Sequence, residues 1–132
     1  MSLANDYRRL QAARSRCALR LRELERRETA TQREVLDRKV RLQQVLRAVA
    51  QRWRLRIRDI IGGGRLPDRV LARQVVMWWL REREDWSMTD IAGACGRTAH
   101  GTVGHAIRRV LAQADTDPDL SARLQSLATE LC

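Results

Sequence analysis

The chain has 132 residues with 26 Lys+Arg against 16 Asp+Glu, room for one compact domain plus an appendage, and its 32% charged and 44% hydrophobic residues exclude a membrane-embedded or fully disordered protein. Its longest uncharged apolar run, Val75–Leu80, is far short of the roughly 20 residues of a spanning helix, while the N-terminus lacks a secretory apolar segment and Cys17, Cys95 and Cys132 form no C-x-x-C pair, so a cytoplasmic chain without a disulfide framework or zinc finger is expected. The net charge of +10 invites a nucleic-acid partner, but it belongs entirely to the first half: residues 1–61 hold 17 basic and 7 acidic side chains, residues 62–132 nine of each.

Residues 4–50 contain no Gly or Pro and are rich in Leu, Arg, Glu, Gln and Ala, which predicts one long helix. Steps of four and three pass through Leu3, Tyr7, Leu10, Arg14, Cys17, Leu21, Leu24, Glu28, Thr31, Val35, Arg38, Leu42, Val45 and Val49, and ten of these fourteen positions are apolar. A lone helix in water leaves such a heptad seam uncovered, so a dimeric coiled coil over residues 1–41 is expected. The competing use of the seam is a helix folded onto the rest of its own chain. The run Arg52-Trp53-Arg54-Leu55-Arg56-Ile57-Arg58 has the period of a strand, yet no partner strand is found in the sequence. It reads as a helix end whose Trp53, Leu55 and Ile57 enter a core, with arginines that either stay wet or bind phosphates.

Residues 42–132 read as a small helical domain. Gly62-Gly63-Gly64 breaks the chain, Arg65-Leu66-Pro67-Asp68 looks like a loop ending in a cap at Asp68, and Val70, Leu71, Gln74, Val75, Met77, Trp78 and Leu80 recur at helical spacing up to about Glu84. Of Trp78 and Trp79, about 100° apart on a helix, one is expected in the core and the other half-exposed. Ser87 caps a short helix with Met88, Ile91, Ala92 and Cys95 inside, and Gly96 ends it. A helix from Thr98 follows, with Val103, Ile107, Val110 and Leu111 on one side and His105 packed against the preceding helix. Asp117-Pro118 then opens a last amphipathic helix carrying Leu120, Leu124, Leu127 and Leu131. Two short helices joined at a glycine have the dimensions of a helix-turn-helix. The start of the second, with Arg97, Thr98, His100, Gly101 and Thr102, offers the small and hydrogen-bonding groups that suit close approach to base edges. Arg108 and Arg109, two turns on, are within geometric reach of a phosphate, or form a solvated face. Neither His100 with His105 nor any other grouping has metal-ligand spacing, and no acid/base pair or activated nucleophile appears. No cofactor and no enzymatic activity are expected.

These residues carry a resemblance. Gly96-Arg97-Thr98-Ala99-His100-Gly101-Thr102-Val103-Gly104-His105-Ala106-Ile107-Arg108-Arg109-Val110 is similar to the signature G-G-R-D-H-T-T-V-x-H-A-x-R-K-I of the C-terminal DNA-binding domain of the bacterial replication initiator DnaA. The similarity continues upstream through Ser87–Ile91, Ala72-Arg73-Gln74, Arg58–Ile61 and Val49–Trp53, covering roughly residues 42–132. It implies an all-α domain whose second helix-turn-helix helix lies in the major groove of duplex DNA. By position it implies a minor-groove role for Arg65, phosphate or base contacts for Arg73 and Gln74, and a phosphate contact for Arg81. It also implies reading roles for His100 and Thr102. Ala99 stands where the signature has Asp, Gly101 where it has the first Thr, and Thr98 where it has Arg, which bears on recognition of the family's own element. The sequence has no G-x-x-x-x-G-K-[ST] motif, so nucleotide binding is not expected. The reading is a duplex-DNA-binding module behind a helical dimerisation segment, replication-initiator-like or regulatory. Its rivals are a protein-interaction adaptor that has lost base reading and an RNA binder using Arg52–Arg58.

Overall fold

The computed structural model describes residues 2–96 and 100–132, without the side chain of His100, and every described element is helical. Six helices follow in order: α1 (Leu3–Trp53), α2 (Ile57–Ile61), α3 (Pro67–Glu82), α4 (Met88–Ala94), α5 (His100–Thr116) and α6 (Pro118–Leu131). The chain divides into two compact units, Met1–Val40 and Arg41–Cys132. Among the described residues no helix is long and apolar enough to cross a membrane.

The first unit is the N-terminal part of α1 alone. Its helix is supported locally, by Glu23 paired with Arg26 and Arg27 three and four residues on. The seam residues Leu3, Tyr7, Leu10, Leu21, Leu24 and Val35 are between 49% and 88% exposed.

The second unit has a continuous core. The C-terminal turns of α1 contribute Val45, Leu46, Val49 and Trp53, α3 contributes Val75, Val76, Trp79 and Leu80, and Ile91, Val103, Val110, Leu120 and Leu127 complete it. Helix α3 packs most extensively on α5, and α5 in turn touches α4 and α6. Polar ties fix the last turns of α1 within this unit: Arg41 pairs with Glu84 and donates to the Leu131 carbonyl at 2.7 Å, while Arg52 pairs with Glu130 and donates to the Ser126 carbonyl at 3.1 Å.

The alternating run after residue 51 is a helix stop. Trp53 is the last helical residue, and Arg54 turns left-handed at φ 53°. The Leu55 N–H then returns to the Ala50 carbonyl at 2.9 Å and the Arg54 N–H to the Gln51 carbonyl at 3.4 Å. These two bonds are those of a Schellman motif, with Arg54 in the place usually taken by glycine. Trp53 is buried with Arg123 stacked 4.9 Å from its ring, Leu55 and Ile57 are half-buried against the core, and Arg54, Arg56 and Arg58 face solvent.

Three local expectations are corrected. Asp68 is not a cap: Pro67 is already the first residue of α3, because its fixed φ suits that position, and Leu66 precedes it with no side-chain cap bond. Leu111 is 48% exposed, since the inner face of α5 runs through Val103, Ala106 and Val110. His105 lies on the outer side of the same helix and is exposed rather than packed against α4. Trp79 is fully buried and donates its indole N–H to Glu84 Oε1 at 3.2 Å, while Trp78 meets it edge-on and is half-buried.

Candidate nucleic-acid interface

Helix α4 is seven residues long, too short to stand by propensity alone. Ser87 caps it, its hydroxyl oxygen accepting from the Asp90 N–H at 3.1 Å, and Ile91 and Ala92 anchor it to the core. The chain leaves α4 through Gly96, whose φ of +73° is left-handed, a conformation that glycine enters without a Cβ penalty. Residues 97–99, the first of the expected contact residues, lie outside the described residues, so Arg97 and Thr98 carry no structural statement.

Beyond them, α5 buries Val103, Ala106 and Val110. That places Gly101, Thr102, His105, Arg108 and Arg109 on its solvent side. Gly101 has open space where a Cβ would stand, so the outer side of this helix lacks one side chain's bulk.

A groove beside this surface is lined by Arg65, Pro67, Asp68, Val70, Leu71, Gln74, Arg109 and Gln113. Arg65 and Arg109 are both exposed there. Gln74 is the only buried polar or charged side chain of the described core, 8% exposed, and its Oε1 has no hydrogen-bond partner. Arg65 and Gln74, nine residues apart, thus reach one groove together. Gln113 was not among the residues that sequence reasoning singled out, although its spacing of four from Arg109 sets both on one face of α5.

Arg73 occupies a different position from its neighbour. Its guanidinium donates to the carbonyls of Ile60 at 2.7 Å, Gly62, and Gly64 at 3.2 Å. A planar fork with several donors suits three carbonyls presented by one turn. The side chain clamps the triple-glycine loop from which Arg65 extends. Arg81, exposed near the end of α3, donates to the Trp86 carbonyl at 2.9 Å and so ties α3 to the approach of α4. Arg69 lies 3.7 Å from Asp59.

Cys95, at the end of α4, is buried, and burial pushes its thiol up to about 11, with the Arg73 charge opposing. Such a thiol is inert as a nucleophile. No group of three His, Cys, Asp or Glu among the described residues is arranged to hold a metal ion.

A capped short helix, a left-handed glycine and a second helix with an open, basic outer face define a helix-turn-helix domain. Residues 42–110 match the family described as the bacterial dnaA protein helix-turn-helix, and the chain belongs to that family, a non-catalytic DNA-binding domain. Similar proteins include the chromosomal replication initiator proteins DnaA of Oenococcus oeni, 34% identical over 92 residues, and of Deinococcus deserti, 36% identical over 93 residues. Each alignment covers 70% of this chain and 20% of the relative. That of Cereibacter sphaeroides is 33% identical over 91 residues, which is 69% of this chain and 20% of the relative. The chain thus spans about a fifth of the length of the curated relatives it matches, and its match leaves their ATPase region uncovered.

Proposed function

We propose that this chain binds duplex DNA sequence-selectively, as a replication-initiator-like or regulatory accessory protein. The observation that carries the reading is the joint presentation of the α5 outer face and the groove beside it, with Arg65, Gln74 and Arg109 together. In this reading α5 enters the major groove through Thr102 and His100, with Arg97 and Thr98 at its approach. Gly101 brings the backbone close to the base edges, Arg108 meets a phosphate, and Arg65 reaches the adjacent minor groove. Gln74, whose amide lines the groove, hydrogen-bonds to the nucleic acid there. Arg81 approaches a phosphate, while Arg73 acts by holding the loop that carries Arg65. Two copies associate through the N-terminal part of α1, so that each complex carries two such domains.

Neutrality of residues 62–132 bears on strength: bulk charge contributes little there, and binding rests on local placement. Selection from a random duplex DNA pool by the full chain at near-physiological salt tests the reading. An enriched motif that Arg65→Ala weakens by roughly tenfold or more supports minor-groove and base readout together. Retention without a motif reduces the function to phosphate binding by the arginines of the first half. No retention of duplex DNA overturns the proposal and leaves an adaptor that kept the fold.

A further inference from the structure

We infer that the N-terminal part of α1 pairs with a second copy of itself in parallel and in register. This rests on the association proposed above and specifies its direction. The uncovered face is Leu3, Tyr7, Leu10, Leu21, Leu24 and Val35, all exposed. Apolar residues with this spacing are covered by another helix carrying the same spacing. A second copy meets that condition, and the charges beside the seam select its direction.

With Tyr7, Leu21 and Val35 at one core position of the heptad and Leu3, Leu10 and Leu24 at the other, Arg20 and Glu34 occupy one flank. Glu25 and Lys39 occupy the other. In a parallel, in-register pair each flank residue meets the residue five positions later on the second copy. Arg20 then faces Glu25 of the second copy and Glu34 faces its Lys39, each twice by symmetry. The remaining flank pairs, Asp6 with Gln11, Ala13 with Ala18 and Arg27 with Gln32, contain no like charges. The antiparallel pairs that overlap the seam most fully bring like charges together: setting Leu21 against Leu24 brings Arg20 to Arg27 of the second copy on both sides, and setting Leu21 against Cys17 brings Arg20 to Arg20. Setting Leu24 against Val35 brings Arg27 to Glu34 but leaves Leu3, Tyr7 and Leu10 uncovered. Parallel pairing does stack Arg14 on Arg14, Glu28 on Glu28 and Arg38 on Arg38 across the seam. The Arg14 stem can lie along the apolar face with its guanidinium in water, while Glu28, Thr31 and Arg38 interrupt the apolar contact towards the C-terminal end of the paired segment.

The direction has a functional consequence. Each Arg41–Cys132 unit follows the C-terminal end of the paired segment, so parallel pairing brings two helix-turn-helix domains to one end. Antiparallel pairing separates them by roughly 50 Å, at 1.5 Å per residue. Parallel pairing thus fits two neighbouring elements on one DNA duplex, with the second domain held at high effective concentration.

Cys17 is an exposed seam residue and reports the register, since in this arrangement alone it faces its own copy. The full chain carrying Cys132→Ser, with Cys95 buried, is oxidised in a glutathione buffer and run without reductant, and its mass is measured by sedimentation under reducing conditions. The expected result is a reducible dimer linked through Cys17, and no such link in a Cys17→Ser/Ala12→Cys variant whose thiol lies opposite the seam. Arg20→Glu weakens self-association by roughly tenfold, and Arg20→Glu/Glu25→Arg restores it. A dimer that neither links through Cys17 nor shows this rescue overturns the parallel arrangement while leaving self-association standing. A monomeric chain overturns both. DNA retention by the same samples, scored separately, reports on the duplex-binding reading alone.

Discussion

Helix α1 takes one hydrophobic pattern through two regions with opposite outcomes. Between Leu3 and Val35 the seam residues stand in solvent, whereas Val45 and Val49 of the same repeat are fully buried. Apolar spacing does not separate the two stretches, since the same steps of four and three run through both. What differs is the rest of the chain: residues 41–53 have α6 and the loop before α4 to close over them, through Arg41 with Glu84 and Arg52 with Glu130. A periodic apolar face states that cover is needed. It does not state whose atoms supply it.

One substitution made in both regions tests that contrast with the largest expected effect. Leu46 is 1% exposed and Leu21 60% exposed. Leu46→Ala removes buried methyl groups and leaves a cavity, which should destabilise the domain by about 2–5 kcal/mol. The thermal transition followed by circular dichroism should fall by several degrees. Leu21→Ala should leave that transition in place and weaken self-association instead. Equal loss of domain stability from the two variants would break the comparison, because it would mean that the seam of the first region is already covered within one chain.

The cysteines separate the regions more gently. Cys17 in the first region is exposed, and Cys95 in the second is buried with its thiol pushed up from 9.0 to about 11 by desolvation. The folded state therefore holds the Cys95 proton more tightly than the unfolded state does. Stability from this group is complete below about pH 9 and is lost as the pH rises towards about 11, since over that window the unfolded chain has released a proton that the folded chain retains. The loss amounts to about 2–3 kcal/mol at two units of difference. Thermal melts between pH 8 and 11 should show this decline in the natural chain and a shallower one in Cys95→Ala. Parallel curves would show that the thiol does not titrate through folding.

Much of the second region was legible in the sequence because its signals are local and redundant. Ser87, Gly96 and Asp117-Pro118 mark helix ends by side-chain chemistry that acts over three or four residues, and each does so in the structure. The stop at Trp53 was harder, since a Schellman turn on Arg54 uses no glycine and its period-two flanks imitate a strand. Asp68 misled because two N-terminal signals compete within two residues and Pro67 takes the first helical position. The apolar spacing of α5 points His105 and Leu111 inward because one apolar stripe does not fix a helix's rotation to within a single residue; Ala106, too small to weigh in the pattern, lies between them on the buried side. The groove was the least legible. Arg65, Gln74 and Arg109 are joined only by the packing of α3 on α5, and nothing local links them in sequence. Arg73, one residue from Gln74, faces the loop carbonyls for the same geometric reason: neighbours on a helix diverge by about 100°.

The smallest effect concerns two serines that perform the same local task in the two regions. Ser2 accepts from the Asn5 N–H at 3.2 Å at the start of α1, and Ser87 accepts from the Asp90 N–H at 3.1 Å at the start of α4. Replacing a serine cap with alanine typically weakens the capped helix by about 1 kcal/mol. For Ser87→Ala that loss falls on the domain itself, because α4 has seven residues and its Ile91 and Ala92 lie in the core. Fraying its first turn detaches buried groups, and the melting temperature should drop by a few degrees. For Ser2→Ala the freed turn carries Leu3, already 88% exposed, and no buried side chain of the core. Fraying there should leave the domain's transition unmoved and change helical signal by less than one turn. Melting the two variants side by side thus turns one chemical change into a measure of coupling. A hydrogen bond contributes to global stability only where the element it caps is tied to a packed core.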